Sequence, residues 1–597
     1  MISSVFGLFR SLVNDFQYYA FVGLVVFLLY AAYQQLLHPL ANVPGPFWAS
    51  ISRLWITKHS WDGDMHRTVI GLHSEFGELV RTGPNEVCNV KPTEYLSSAG
   101  TKFRKSTWYS VWQGHRKFDL FAERDERLHG NQRRLISRAY AMESLKDLEP
   151  YVDDSVKHFL GKMDEQQGRS VDMGSWVQLF AFDVIGEVTF SKRFGFMDAG
   201  KDDGSFNAIE GALRSASWIG QVPWLYWIHD FLSPVIGSHL GIAARHGSLR
   251  SFAMSEVSAR RNRGTDRKDI LSKLFQAHED KPAEFDDNAV ISMATSNIFA
   301  GSDTTAISTR AIIYYLLKNP EHKRRLVSEI DDMRSRGKLS DPVTLDEANN
   351  MEYLQAVMYE ALRLHPAVGM SLPRVTPEGG VEIDGRFLPA GTVVGVNPWV
   401  VHRNKDVFGE DVESFRPDRW LKEDNGDMHR FFFAFGSGAR MCLGRNISWM
   451  EMSKLIPTMF MHYDLELSDP EAELMEEDLA TGAASPLPPP IPPRNPLRTA
   501  GRLPPQWPPR PLTPPPPPPP PPPPTPPAPS SRPPPRHEAG VFEHGQPFFE
   551  AGARAEAAVA AMKKRAAKRE KKERKETERE ETREKDEKRC KLTEIWQ

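Results

Sequence analysis

Apolar and polar positions divide this 597-residue chain into three textures. Residues 18–33, YYAFVGLVVFLLYAAY, carry no charge, and Leu36 and Leu37 extend the run beyond two glutamines. About 20 residues of helix cross a bilayer core, so residues 1–40 are expected to form a membrane anchor. A cleaved signal peptide is the rival reading; the length of the run, its flanking aromatics and the lack of a small-x-small cleavage site weigh against it. His38-Pro39 and Val43-Pro44-Gly45-Pro46 predict a stiff, non-helical strut leading out of the anchor. Residues 41–475 then read as one globular body, mainly α with small β-sheets. Its longest helix is expected over 289–317, capped by Asp286 or Asp287 and ended by Asn319-Pro320, and a second over 345–364, stopped by His365-Pro366. Between 371 and 400, β-branched residues alternate with Gly and Pro turns, which predicts short strands.

Composition changes the picture mainly at the C-terminal end. Forty-nine prolines are present, with most of the excess after residue 484 and an unbroken run over 514–524. Residues 476–550 are therefore expected to be a disordered, proline-rich linker that buries no core. Residues 551–597 alternate Lys/Arg with Glu and are expected to form a charged helical tail. Overall, 75 Lys+Arg against 78 Asp+Glu leave a net charge of −3, which argues against a nucleic-acid partner. Cys88, Cys442 and Cys590 are too few and too scattered for a disulfide framework or a zinc cluster, so a reducing, cytosol-facing compartment fits.

The strongest chemical signal is Phe435-Gly-Ser-Gly-Ala-Arg-Met-Cys442-Leu-Gly444. Gly436 and Gly438 before the cysteine and Gly444 after it allow a tight turn that something flat can approach closely. A helical pattern follows (Ile447, Met450, Leu455, Ile456 and Met459 on or near one face), which places Cys442 at a helix N-terminus. Free N–H groups and the helix dipole stabilise a thiolate there, and Arg440 supplies positive charge suited to a carboxylate. A buried, inert cysteine in a glycine-rich turn is the bland alternative. A second signal, Ala300-Gly301-Ser302-Asp303-Thr304-Thr305, lies inside the long predicted helix. Glycine there costs about 1 kcal/mol relative to alanine. Two explanations stay open: room for a small bound molecule beside an acid–alcohol pair suited to proton delivery, or a close helix–helix contact.

The pattern Phe-x-x-Gly-x-Arg-x-Cys-x-Gly resembles the haem-binding loop of the cytochrome P450 family. Three more family motifs occur in family order: the Ala300–Thr305 segment, Glu360-Ala-Leu-Arg363, and Phe415-Arg-Pro-Asp-Arg419-Trp420. The stretches Lys105-Ser-Thr-Trp-Tyr109, Phe182-Asp-Val-Ile-Gly186 and Ile219-Gly-Gln-Val-Pro-Trp224 look like fungal microsomal members, in particular the pisatin demethylase and benzoate hydroxylase groups. The resemblance implies the P450 fold with haem b, and Cys442 as its axial thiolate in a loop that includes Phe435, Gly436 and Gly438. It assigns proton delivery to Thr304 and Asp303, and propionate contacts to Arg440, Arg133 and Arg374. His129 joins the propionate contacts at a position where many members have tryptophan. Glu360, Arg363 and Arg419 form a structural ion network.

The implied activity inserts one atom of O2 into a small apolar or aromatic substrate by hydroxylation or O-demethylation. Electrons come from NADPH through a separate NADPH–cytochrome P450 reductase. The implied location is the endoplasmic reticulum membrane, single-pass and in contact with membrane lipid, with the catalytic domain facing the cytosol. Trp108, Tyr109, Trp112 and Phe118 suit either a greasy roof over the haem or ordinary core packing. One departure stands out: no closing β-hairpin is evident after residue 470. On the alternative reading the haem domain is therefore inactive, and the proline-rich tail serves as an interaction module.

Overall fold

The computed structural model describes residues 2–91, 103–166, 169–237 and 239–470, together with the backbone of 496–502. The remaining proline-rich linker and the charged tail expected over 551–597 lie outside the described residues.

The chain opens with helix α1 (Ile2–Ala32) and a π-turn over Tyr33–Leu37. Among the described residues one helical segment, Gln17–Leu37, is long and apolar enough to cross a membrane, and Tyr18 through Tyr30 are largely exposed. The expected strut is not free-standing. Arg81 Nη1 donates to the Gln34 carbonyl (2.8 Å) and its Nη2 to Gln34 Oε1 (2.6 Å), while Tyr30 Oη donates to the Ile51 carbonyl (3.1 Å). Leu40 and Val43 are buried against Leu79, Val87 and Val394. Gly45 lies so close to Arg81 that a Cβ would meet the Arg81 carbonyl oxygen at 2.4 Å. The prolines thus fold this stretch onto a sheet instead of spanning a gap.

That sheet runs in the order β1 (Leu79–Gly83), β2 (Glu86–Asn89), β8 (Val393–Val396), β5 (Arg374–Val375) and β3 (Arg104–Lys105). Helix α2 (Glu126–Ile136), strand β4 (Ser170–Asp172) and helix α3 (Met173–Phe190) follow, then helix α4 (Asp287–Lys318). Helix α4 fulfils the long-helix expectation, with Asp286 as its cap accepting from the Ala289 N–H at 2.8 Å.

The expected 345–364 helix is broken in two: Leu345–Asn349, with a capping box between Thr344 and Glu347, and α5 (Glu352–Leu364). Glu329 reaches in from a neighbouring helix to accept from the N–H groups of Tyr353 (2.8 Å) and Leu354 (3.0 Å). Those two donors are free at the start of a new helix and would be used up in a continuous one.

The predicted strands between 371 and 400 are β5 (Arg374–Val375), β6 (Val381–Ile383), β7 (Arg386–Leu388) and β8 (Val393–Val396). Strands β6 and β7 form a separate hairpin whose turn, Asp384-Gly385, has both residues at positive φ, as a right-twisted two-residue hairpin requires.

Helix α6 (Arg445–His462) follows the cysteine loop and is buried all round, polar residues included, instead of on one face. Its Lys454 is held by Glu149 (2.6 Å) and Asp153 (2.8 Å).

Strand β9 (Tyr463–Leu467) pairs antiparallel with β10 (Pro496–Arg502), and β10 pairs with β4. This corrects one expectation: a closing strand does follow residue 470, over Pro496–Arg502. Leu497, Arg498 and Thr499 provide a short stretch with free backbone donors between prolines, which a ladder needs.

Candidate active site

Helix α4 crosses the core between α3 and α6. On the α3 side, a Cβ on Gly301 would lie 2.4 Å from Ile185 Cδ1. The glycine therefore serves the close helix–helix contact, the second of the two readings left open above. On the α6 side, Thr305 Oγ1 lies 2.8 Å from Ser448 Oγ. Between these contacts Ala300 is exposed and Thr304 half-buried, although Phe299, Ser302, Asp303 and Thr305 around them are buried. Cys442 is likewise exposed, and every residue of 431–441 is partly open. Residues in mid-helix at the centre of the body cannot face bulk water, so these positions line an internal slot between α4 and the loop. Trp112 closes one side, its ring 6.1 Å from Phe299. Trp108 and Phe118 instead pack into the surrounding core, Trp108 bonded to the Ser217 carbonyl and Phe118 against Phe285.

The loop has the expected geometry. Gly436 and Gly438 take φ of +67° and +63°, a region that side chains disfavour. The Phe433 carbonyl accepts from Gly436 N–H and the Phe435 carbonyl from Cys442 N–H, both at 2.9 Å. The Phe435 ring lies edge-on to Trp449 at 6.2 Å. Burial pushes the Cys442 thiol up, while the N–H groups of Gly444 and Arg445 and the charges of Arg133 and Arg445 pull it down. The sulfur thus sits where donors favour its ionised form but where protein alone does not secure it; a metal on the sulfur does.

Five basic side chains converge on one edge of the slot. Arg133 Nη1 donates to the Met441 carbonyl (2.9 Å). Arg440 makes a two-pronged bond to Glu126 of α2 (3.0 and 2.7 Å), leaving its buried Nη1 without a partner. Arg374 is buried with its own Nη1 unpartnered, 6.0 Å from the centre of the Tyr109 ring. Lys105, directly opposite Arg374 in the β3–β5 pair, is also buried. Its ammonium lies 4.1 Å from the centre of the Tyr109 ring and is pushed well below the usual lysine range by burial and by Arg374 and Arg440. His129 is buried among them and is held neutral, pushed down to about 3 by burial and by Arg440, Lys105, Arg133 and Arg374.

Like charges facing each other across strands are destabilising, and unpartnered buried guanidinium nitrogens cost more. A dianion at this edge removes both penalties. Haem fits on these grounds: two carboxylates for the basic edge, a flat ring for the slot, iron for the sulfur. Among the described residues no group of three or more His, Cys, Asp or Glu could hold a metal ion. The sequence likeness at 105–109 gives Lys105 no role of its own. Only its pairing with Arg374, 269 positions away, gives it a role.

Asp303 and Thr304 are neighbours but face different partners. Thr304 Oγ1 donates to the Ala300 carbonyl (2.8 Å) at the slot, while Asp303 accepts from Gln178 Nε2 of α3 (2.7 Å). Burial raises the Asp303 carboxyl to about 6, helped by Glu210 and Asp202 and opposed by the Gln178 hydrogen bond. Glu360, Arg363 and Arg419 come together as expected, all fully buried. Arg363 binds both oxygens of Glu360 (2.8 and 2.9 Å), and Arg419 Nε and Trp420 Nε1 add bonds of 2.9 Å each.

A helical body around a cysteine loop, a basic edge and a buried Glu–Arg–Arg network define a haem-thiolate protein. The family model for Cytochrome P450 matches residues 42–491, and the chain belongs to the cytochrome P450 family. It is 39% identical to "Cytochrome P450 monooxygenase hepC" of Aspergillus oryzae over 468 residues, covering 75% of this chain and 92% of that one. It is 37% identical to "Cytochrome P450 monooxygenase cicH" of Emericella nidulans (73% and 90% covered) and 37% to a "Cytochrome P450 monooxygenase" of Aspergillus terreus (74% and 94%). The protein is a fungal-type P450 monooxygenase, and its family uses a haem iron held by a cysteine thiolate.

Proposed function

We propose that Cys442 would hold the haem iron through its sulfur and that this chain oxidises a small apolar or aromatic molecule by hydroxylation or O-demethylation. The observation that carries the assignment is the Cys442 sulfur, opening onto a slot whose edge gathers buried basic side chains, with one nitrogen each of Arg374 and Arg440 left without a partner. When bound, haem would supply the one-electron redox chemistry that activates O2. The chain's own residues do the rest. Gly444 and Arg445 N–H groups tune the sulfur. Arg374, Lys105 and Arg440 Nη1 would take the propionates, with Arg133 holding the loop and neutral His129 available as a donor. The Thr304 hydroxyl releases the Ala300 carbonyl to donate into the slot, and Asp303, poised near the working pH, resupplies protons from the α3 side. Trp112 and Phe299 keep water from the reacting face.

Electrons reach the haem from a separate NADPH–cytochrome P450 reductase. The apolar Gln17–Leu37 helix and the exposed Trp224, Phe231 and Val235 of the Pro223–Ile236 helix support attachment to a membrane; the family likeness alone carries the single-pass, endoplasmic-reticulum, cytosol-facing placement. The β9–β10–β4 sheet favours a complete catalytic domain over the inactive alternative. The deciding test is the visible spectrum of the dithionite-reduced protein under carbon monoxide. A far red-shifted Soret band that disappears in Cys442→Ser supports the reading; a band at the histidine-ligated position, or the same spectrum in Cys442→Ser, overturns it.

A further inference from the structure

A histidine that the sequence motifs did not single out connects the ion network to the cysteine loop. His402 follows the short helix Pro398–Val401 and is fully buried. Arg363 Nη1 donates to the His402 carbonyl (2.9 Å), and His402 Nδ1 lies 3.0 Å from the Arg363 carbonyl, so the two residues clasp each other reciprocally. On the far side of the ring, the Phe433 N–H donates to Nε2 at 2.7 Å. A backbone N–H only donates, so Nε2 must keep its lone pair and Nδ1 must carry the proton. The tautomer is fixed by its neighbours. Burial, with Arg363 and Arg403 nearby, pushes this imidazole down to about 3 and keeps it neutral. The ring also stacks on Phe432 at 5.5 Å with planes 9° apart.

Phe433 lies two residues ahead of the cysteine motif that begins at Phe435. Its carbonyl accepts from Gly436 N–H in the turn that leads, through the Phe435 carbonyl, to the Cys442 N–H. The path from Glu360 to the loop therefore runs Glu360–Arg363–His402–Phe433. Among the described residues, the bond to His402 is the one recorded for the Phe433 N–H.

We infer that His402 is a positioning residue for the thiolate: its imidazole acceptor pins Phe433, in the segment leading into the cysteine loop, to the Glu360–Arg363–Arg419 network and so sets where Cys442 would meet the haem iron. The inference rests on Cys442 as the ligand. A purely space-filling role predicts that ring shape alone matters; a positioning role requires the Nε2 acceptor.

Amide hydrogen exchange at Phe433 in the holoprotein reads the bond directly. The wild-type amide should exchange as slowly as those of buried α6; exchange at the rate of an exposed amide overturns the inference without any variant. His402→Phe keeps the stacking ring but removes both nitrogens. It should speed exchange at Phe433 about tenfold, the loss of roughly one hydrogen bond, and move part of the carbon monoxide Soret band from the thiolate position to the shorter-wavelength one. His402→Gln, whose Oε1 can accept at the Nε2 position, should recover both signals. Wild-type exchange and spectrum in His402→Phe would overturn the inference, as would failure of Gln to do better than Phe. A Cys442→Ser control with an unchanged band would overturn the ligand reading alone, leaving the exchange result to judge the His402 bond.

Discussion

Two buried basic clusters flank the cysteine loop, and they are built in opposite ways. In the Glu360–Arg363–Arg419 cluster the chain supplies its own anion. Both oxygens of Glu360 accept several donors, and the guanidinium groups finish on the carbonyls of His402, Val412 and Ser414. At the slot edge, Lys105, Arg133, Arg374 and Arg440 converge with Glu126 as the one carboxylate bonded to any of them among the described residues, and Arg374 and Arg440 each keep an unpartnered nitrogen. The first cluster is closed and locks the fold. The second is held together against its own repulsion by the fold around it, which makes it a receptor for negative charge. The same residue type is structural in one place and ligand-binding in the other, and only the accounting of partners tells them apart.

Variants should separate the two. The largest effect is expected for Glu360→Ala, which leaves two buried guanidinium groups without their anion; breaking such a pair costs about 3–5 kcal/mol. Expression should yield little folded haem protein. A melting temperature near wild type would show that the closed cluster does not lock the fold.

Arg374→Met should act in reverse on the open cluster. Haem loss to an excess of apomyoglobin should accelerate about 10- to 100-fold, the worth of a charged hydrogen bond. The haem-free protein should be no less stable to urea, because a like-charge contact with Lys105 is gone. Faster haem loss accompanied by a destabilised apoprotein would erase the distinction between the clusters.

Thr304→Ala touches neither cluster, so folding and haem content should stay at wild-type levels. NADPH consumption should uncouple from product, with peroxide released instead, and product per NADPH should fall about tenfold or more. Unchanged coupling would remove the proton-delivery role.

The smallest effect is a pH dependence. The Asp303 carboxyl is raised to about 6, above the ordinary aspartate value near 3.9, so the folded state holds this proton more tightly than the unfolded one. Its contribution to stability is therefore fully present below about pH 4 and is lost as pH rises through about 6. Asp303→Asn should flatten the slope of urea stability between those values, as measured by parallel titrations of the two proteins.

Legibility followed the distance along the chain over which each feature is built. The Asp286 cap, the positive-φ glycines 436 and 438, and the cysteine ahead of a helix were readable because a few consecutive residues specify them. The 345–364 helix was misread because Glu329, from another helix, takes the N–H groups at the break. The closing strand was missed because Pro496–Arg502 has no strand pattern of its own and gains order by lying between β4 and β9. The strut became part of the body because Arg81 reaches back to Gln34.

By itself the sequence determined the chemistry: a cysteine in a tight glycine loop, an acid beside an alcohol in a long helix, and arginines in family order. Those are local choices of side chain and backbone freedom, and they survive any change of surroundings. The tertiary structure alone decided which charges are satisfied. It set Lys105 against Arg374, turned Asp303 toward Gln178, gave Gly301 to a helix contact, and placed His402 between Arg363 and Phe433. Burial and partnership are properties of pairs distant in sequence, and folding is what brings those pairs within hydrogen-bonding reach.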